Sequence, residues 1–234
     1  MTTKTGRVAF FDVDETLITG KSMFTFLRLH FELCGKPPAW YFAIADHLAA
    51  MAEAGASRAD TNREYYRAFS GQPVRKIAEH GKRWFERSLS IPGFFHPPAV
   101  SALHRHRAAG DQTVLVSGSF SACLDPIAEA LGADAVLCSE PIAADGIYTG
   151  EVAKTMIGDA KGIAAAEYAR AHGIAPADCA AYGDHASDLA LLSAVGHPPV
   201  VGADPVLAAL ATDLGWPRLP GIGSAAPVGA GARG

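Results

Sequence analysis

Asp12 and Asp14 stand two residues apart in Phe10-Phe11-Asp12-Val13-Asp14-Glu15-Thr16-Leu17, where the mostly apolar run Arg7 to Phe11 stops. That run reads as a buried strand, and open α/β sheets bind ligands outside the carboxyl ends of their strands. Two acids so placed can hold a hard cation. With their repulsion screened, one can stay ionised and attack an electrophile while the other carries a proton. Taken alone, the same residues also suit a turn in which Asp or Thr caps a helix.

Three later segments add polar groups at equivalent places. Thr113-Val114-Leu115-Val116 reads as a parallel strand running into Ser117-Gly118-Ser119, ahead of a helical pattern from Ser121 to Leu131. A hydroxyl, a flexible glycine and free backbone N–H groups at a helix start suit a phosphate oxygen. Lys161 opens an Ala-rich helix expected from Ala160 to His172. The short strand Cys179 to Tyr182 ends in Gly183-Asp184-His185-Ala186-Ser187-Asp188, which brings two more acids.

Asp12-x-Asp14-x-Thr16, Ser117, Lys161 and Gly183-Asp184-x-x-x-Asp188 resemble, in order and spacing, the four motifs of the haloacid dehalogenase (HAD) superfamily. The second Asp of the first motif is similar to that of its phosphatases and phosphotransferases. Ser117-Gly118, with a helical insertion after the first motif, resembles subfamily IB, the phosphoserine-phosphatase-like group. The resemblance implies an α/β fold: a Rossmann-like three-layer α/β/α core with a helical, C1-type cap inserted after the first strand.

It further implies that Asp12 is a nucleophile forming an aspartyl-phosphate, and that Asp14 protonates the leaving alkoxide and then deprotonates water. Mg²⁺ would be bound by Asp12, the backbone carbonyl of Asp14, and Asp184, with Asp188 orienting Lys161 or a metal-bound water. Ser117, Gly118, Ser119 and Lys161 would stabilise the transferring phosphoryl oxygens. Thr16 would hold the loop through its hydroxyl and belong to the phosphate-binding set. The implied activity is Mg²⁺-dependent hydrolysis of a small or medium organic phosphate. A phosphotransferase of the same fold and a non-catalytic phosphometabolite-binding module are the alternatives.

The elements around these motifs change character along the chain. From Lys21 to about Pro92 there is no convincing strand, and apolar residues recur at helical spacing. Breaks at Gly35-Lys36-Pro37-Pro38, Gly55-Ala56-Ser57 and Ser70-Gly71-Gln72-Pro73 predict four helices. Residues 1–20 and 93–216 are therefore expected to form the catalytic core and 21–92 the cap. Pro141 to Gly150, with Asp145-Gly146 at its centre, reads as a hairpin on the sheet. The Pro-, Gly- and Ala-rich stretch 217–234 reads as a loose terminus.

Composition narrows the function. A chain of 234 residues can bury an α/β core and carry a small accessory unit. Its net charge of −4 gives no basic field for nucleic acid, so a small-molecule organic phosphate is the expected partner. Ala39 to Ala45 is too short to span a bilayer, and no secretory signal precedes the first strand, so a cytoplasmic protein without a membrane span is expected. Cys34, Cys123, Cys138 and Cys179 lack paired spacing and suit reduced, buried thiols. Oligomeric state is not legible.

Departures from the phosphoserine phosphatase pattern bear on the leaving group. Lys21 stands where those enzymes place a Glu that receives the substrate ammonium. A lysine there disfavours phosphoserine and favours a second anion, unless it points to solvent. Arg63 and Arg67, about one helical turn apart, are the candidates to grip a substrate carboxylate. Glu15 occupies a position often filled by a small residue, and Ser187 one often filled by Asn. The aromatics Phe24, Phe26, Trp40, Tyr41, Phe42, Tyr65, Tyr66, Trp84 and Phe85 are expected mainly in core, with one or two reaching substrate.

Overall fold

The computed structural model of the chain describes residues 6–223. In chain order its elements are β1 (Val8–Phe11), α1 (Ser22–Leu33), α2 (Ala39–Glu53), α3 (Arg58–Tyr66), α4 (Val74–Leu89), α5 (Pro97–Ala108), β2 (Gln112–Ser117), α6 (Ser121–Leu131), β3 (Ala135–Cys138), β4 (Glu140–Ala144), β5 (Ile147–Lys154), α7 (Asp159–Ala171), β6 (Cys179–Tyr182), α8 (Leu189–Ser193), β7 (Val200–Val201), α9 (Pro205–Leu214) and β8 (Arg218–Leu219).

β1 carries Val-Ala-Phe-Phe with no exposed residue, as a strand covered on both faces must. It lies inside a parallel sheet of order β3-β2-β1-β6. Because side chains alternate along a strand, the sheet divides its apolar residues between two cores. Ala9, Phe11 and Leu115 meet α5 and α6 through Leu103, Leu124 and Ile127. Val8, Phe10, Val114 and Val116 meet Ala165 of α7, Leu191 of α8 and Leu207 of α9 on the other side. The result is the mixed three-layer α/β architecture with a parallel central sheet.

Four helices follow β1, broken at the predicted Gly- and Pro-rich points. They share the first of the two cores. Phe26 of α1, Tyr66 of α3 and Phe69 stack around Phe120, which precedes α6, at ring separations of 5.3–5.5 Å. α4 lies directly on α6: a Cβ built on Gly81 would sit 1.9 Å from the Ala122 carbonyl oxygen, so only glycine permits this approach. Between α1 and α4 the two imidazoles of His30 and His80 face each other, Nδ1 to Nδ1 at 3.0 Å. Burial and the neighbouring His80 and Lys76 push the His30 pKa down to about 4.

Two expectations change. The hairpin exists as β4 and β5, turned by Asp145 and Gly146, both at positive φ as a tight two-residue turn requires. It is not attached to the main sheet. It bonds instead to the loop before α4, where Gly71 N–H donates to Tyr148 O (2.8 Å) and Val74 N–H to Gly146 O (2.9 Å). The Pro- and Gly-rich terminus is structured at its start: Arg218–Leu219 pairs in parallel with Val200–Val201. Residues 224–234 of that expected loose end lie outside the described residues. Cys123 and Cys179 are buried free thiols, whereas Cys34 and Cys138 are half-buried. No helix among the described residues is long and apolar enough to cross a membrane.

Candidate active site

Register assembles the site. Phe11 pairs with both Leu115 and Tyr182, so β1, β2 and β6 stop at similar heights and Asp12, Ser117 and Asp184 emerge from one edge. Asp12 N–H still donates to Tyr182 O at 2.9 Å, which fixes the start of the acidic loop. Lys161, on the first turn of α7, reaches back to the same point. Its Nζ lies 2.5 Å from Asp12 Oδ1 and 2.6 Å from Asp188 Oδ1, and all three residues are buried.

Asp188 has its second oxygen engaged as well, by the His185 N–H at 3.2 Å. A Cβ at Gly183 would fall 2.6 Å from the Asp188 Cβ, so glycine is required for the loop to fold back here. Asp14 Oδ1 accepts the Ser22 N–H at 3.0 Å, which ties the second acid to the start of α1. Asp184 Oδ1 accepts the Thr16 hydroxyl at 2.8 Å.

The electrostatics follow from crowding four carboxylates around one ammonium. Burial is the largest influence on Asp12, Asp14 and Asp184. It pushes Asp12 up to about 8 against the pull of Lys161, with Asp188 and Asp184 adding to the rise. Burial also lifts Asp14 to about 7 against the Ser22 donors, and Asp184 to about 6 against the Thr16 hydroxyl. For Lys161 burial works against the charge, but contact with Asp12 and Asp188 outweighs it and the pKa is raised. The cluster therefore carries more negative charge than Lys161 offsets. Carboxylate oxygens of Asp12, Asp184 and Asp188 lie within 4.8 Å of one another. That hard oxygen donor set and its surplus charge fit a divalent cation such as Mg²⁺.

The acids open into a cavity of about 490 Å³ that Ser117, Gly118, Ser119 and Lys21 also line. Ser117 Oγ accepts the Ser119 N–H at 3.1 Å, and the Ser119 hydroxyl meets that of Ser22 at 3.0 Å. Lys21 is exposed and lies 3.6 Å from Glu15, so its charge is partly offset rather than presented alone. Glu15 adopts φ 62°, the left-handed region, which Gly, lacking a Cβ, would enter at less cost.

Three of the sequence expectations need correction. Thr16 holds the loop as expected, its hydroxyl donating to Asp184, but it is fully buried and does not line the cavity where a phosphate contact would lie. Arg63 and Arg67 also fall outside the lining and pair with Asp60 and Glu64 on the surface. The helix period explains it: Arg58, Thr61, Asn62 and Tyr65 share the face of α3 that meets the cavity, and 63 and 67 point away. The arginine at the cavity is Arg58, whose Nη1 donates to His185 Nδ1 at 3.0 Å.

Asn62 escaped the sequence reading, and Tyr66, expected in core, is buried there but also makes a polar contact. Asn62 Nδ2 donates to Gly118 O at 2.8 Å, and the Tyr66 and Ser139 hydroxyls reach the same carbonyl at 3.1 and 2.8 Å. The helical insertion thus grips the loop of the second motif. A buried Asn on an otherwise aromatic helix face was the available signal, since such a residue must find partners.

The family model for haloacid dehalogenase-like hydrolases matches residues 9–193. A probable phosphatase of Mycobacterium tuberculosis is 32% identical over 214 residues, covering 90% of this chain and 74% of that protein. The "Inhibition of morphological differentiation protein" of Streptomyces azureus is equally identical over 215 residues, covering 90% and 77%. A phosphoserine phosphatase of M. tuberculosis is 27% identical over 219 residues, 89% of this chain and 68% of its own length. Among solved structures, a protein of unknown function from Bordetella pertussis superposes with a TM-score of 0.81 at 25% identity, over 92% of this chain and 99% of that one. With its parallel sheet, its ordered acidic motifs and these relatives, the chain belongs to the haloacid dehalogenase-like hydrolases, as a phosphoserine-phosphatase-like phosphoric monoester hydrolase.

Proposed function

We propose that the protein is a Mg²⁺-dependent, cytoplasmic phosphatase of small or medium organic phosphate monoesters, acting through a phosphoryl group carried on Asp12. The observation that carries this reading is Lys161, which holds Asp12 and Asp188 at 2.5 and 2.6 Å inside the cavity that Asp14, Ser117 and Asp184 share.

With Oδ1 engaged by Lys161, Asp12 Oδ2 is the oxygen assigned to attack phosphorus. The new P–O bond forms as the ester P–O bond breaks, and the departing alkoxide takes a proton from Asp14. A pKa of about 7 leaves Asp14 able to give that proton and to accept one afterwards. Water then attacks the phosphorus of phospho-Asp12 while Asp14 takes its proton, releasing inorganic phosphate and restoring the Asp12 carboxylate. Lys161 and the Ser117–Ser119 loop face the charge that moves onto the phosphoryl oxygens. Mg²⁺, held by Asp12, Asp184 and the Asp14 main chain, would supply positive charge against those oxygens. Residues 21–92 serve as the cap that encloses the leaving group.

The test is phosphate release from a panel of monoesters with Mg²⁺ and with chelator, using Asp12→Asn as the control. Release that needs Mg²⁺ and vanishes in Asp12→Asn supports the reading; equal release by the variant rejects it.

A further inference from the structure

The part of the cavity lining that comes from α1 and α2 has a different chemistry from the acidic loops. Its wall on α2 is built by Ala45, Leu48, Ala49 and Ala52, spaced i, i+3, i+4, i+7 so that one helix face points inward. Met23 and Phe24 of α1 extend the same apolar wall. These side chains are not simply core: Ala49 and Ala52 are exposed, and Ala45, Met23 and Phe24 are half-buried.

The polar residues that share this part of the lining are already committed. The Tyr65 hydroxyl donates to Met23 O at 2.7 Å, and Asn62 is tied to Gly118 O. Of the cations in the lining here, Lys21 is exposed and partly offset by Glu15 at 3.6 Å, whereas Arg58 is exposed and keeps its charge beside the neutral His185 at 3.0 Å. Along the α2 wall a substrate ammonium would meet hydrocarbon and no carboxylate, at a desolvation cost. At about 490 Å³ the cavity is also in the range that encloses drug-sized ligands.

We infer that the leaving group is apolar: the natural substrate is an amphiphilic phosphate monoester whose phosphate sits at Asp12 and whose hydrocarbon lies along Ala45, Leu48, Ala49 and Ala52. This inference rests on the phosphatase reading above and adds the class of ester to it. Hydrocarbon buried on that wall improves capture of the substrate with each carbon added, until the cavity is full.

The experiment is a series of n-alkyl monophosphates, from ethyl to octyl, with phosphoserine as the polar comparison. Burial of each methylene on the wall raises kcat/KM by about two- to fourfold over the first several carbons, followed by a plateau. Ala49→Asp, an exposed helical position where the substitution costs the fold little, flattens that rise, and Ala49→Leu moves the plateau to shorter chains. A flat or falling series in the wild type, with phosphoserine the better substrate, overturns the apolar subsite while leaving the phosphatase reading intact. Release from no ester at all, ethyl phosphate and phosphoserine included, overturns both.

Discussion

Arg58 donates to His185 Nδ1 at 3.0 Å, joining the first turn of α3 to the acidic loop after β6. Nδ1 also accepts the Ser187 N–H at 3.0 Å and so shares its one lone pair, with the Arg58 Nη1 lying 3.3 Å from Nε2 as well; the ring serves these contacts only when neutral. Burial and the Arg58 charge both hold its pKa down, in keeping with that role. The contact spans the cavity between the helical insertion and the acidic loop after β6.

Arg58→Ala is accordingly expected to raise KM for a phosphate monoester by about three- to tenfold, with a smaller effect on kcat, because it loosens enclosure rather than chemistry. Arg63→Ala and Arg67→Ala, whose side chains make only surface ion pairs, should stay within about twofold of wild type. Steady-state kinetics on all three variants separate the roles. Equal effects from Arg58 and Arg63 would contradict the placement of the cavity face.

Thr16 is expected to act through Asp184. Thr16→Val keeps the buried shape but removes the 2.8 Å donor that orients the carboxylate. Loss of such a supporting bond commonly weakens a metal site by about ten- to a hundredfold. The Mg²⁺ concentration for half-maximal activity should rise by about tenfold or more. An unchanged Mg²⁺ titration would remove Asp184 from the metal set.

His30 gives stability a pH dependence. Its folded pKa of about 4 lies below the unfolded value near 6.5, so the unfolded chain takes the proton first as pH falls. Its contribution is complete above pH 6.5 and is lost between about 6.5 and 4, amounting to about 3 kcal/mol at most. His80, also shifted down by burial, works in the same direction. Urea midpoints measured across that window should fall less steeply in the His30→Leu/His80→Leu double variant than in wild type. Parallel slopes would show that the pair does not titrate with folding.

Gly81→Ala tests the seam between α4 and α6. The added methyl meets the Ala122 carbonyl and forces the helices apart, at a cost of about 1–3 kcal/mol. Chemical denaturation should register that loss. A neutral outcome would mean that the close approach of the two helices is easily relaxed.

The gathering of the motif residues was legible because it is written in local order: each acid or lysine follows a strand or opens a helix, and parallel register brings such positions together without further information. The four helices were legible from their breaks. Less visible was anything that depends on rotation about a helix axis. Arg63 and Arg67 looked suitable as a pair, but the face that meets the cavity runs through Arg58, Thr61 and Tyr65. Partners distant in sequence were equally hidden, as with Asn62 on Gly118, the hairpin on the loop before α4, and Arg218–Leu219 on Val200–Val201. Such pairings are selected by tertiary packing, and neither periodicity nor composition encodes them.

The covalent role of Asp12 is tested most directly by mixing enzyme with a labelled phosphate monoester, quenching in acid within one turnover and mapping the label on peptides. A transient phosphoryl group is expected on the peptide containing Asp12, and none in Asp12→Asn. Turnover with no labelled peptide at any time, or phosphate release by Asp12→Asn at the wild-type rate, would contradict it.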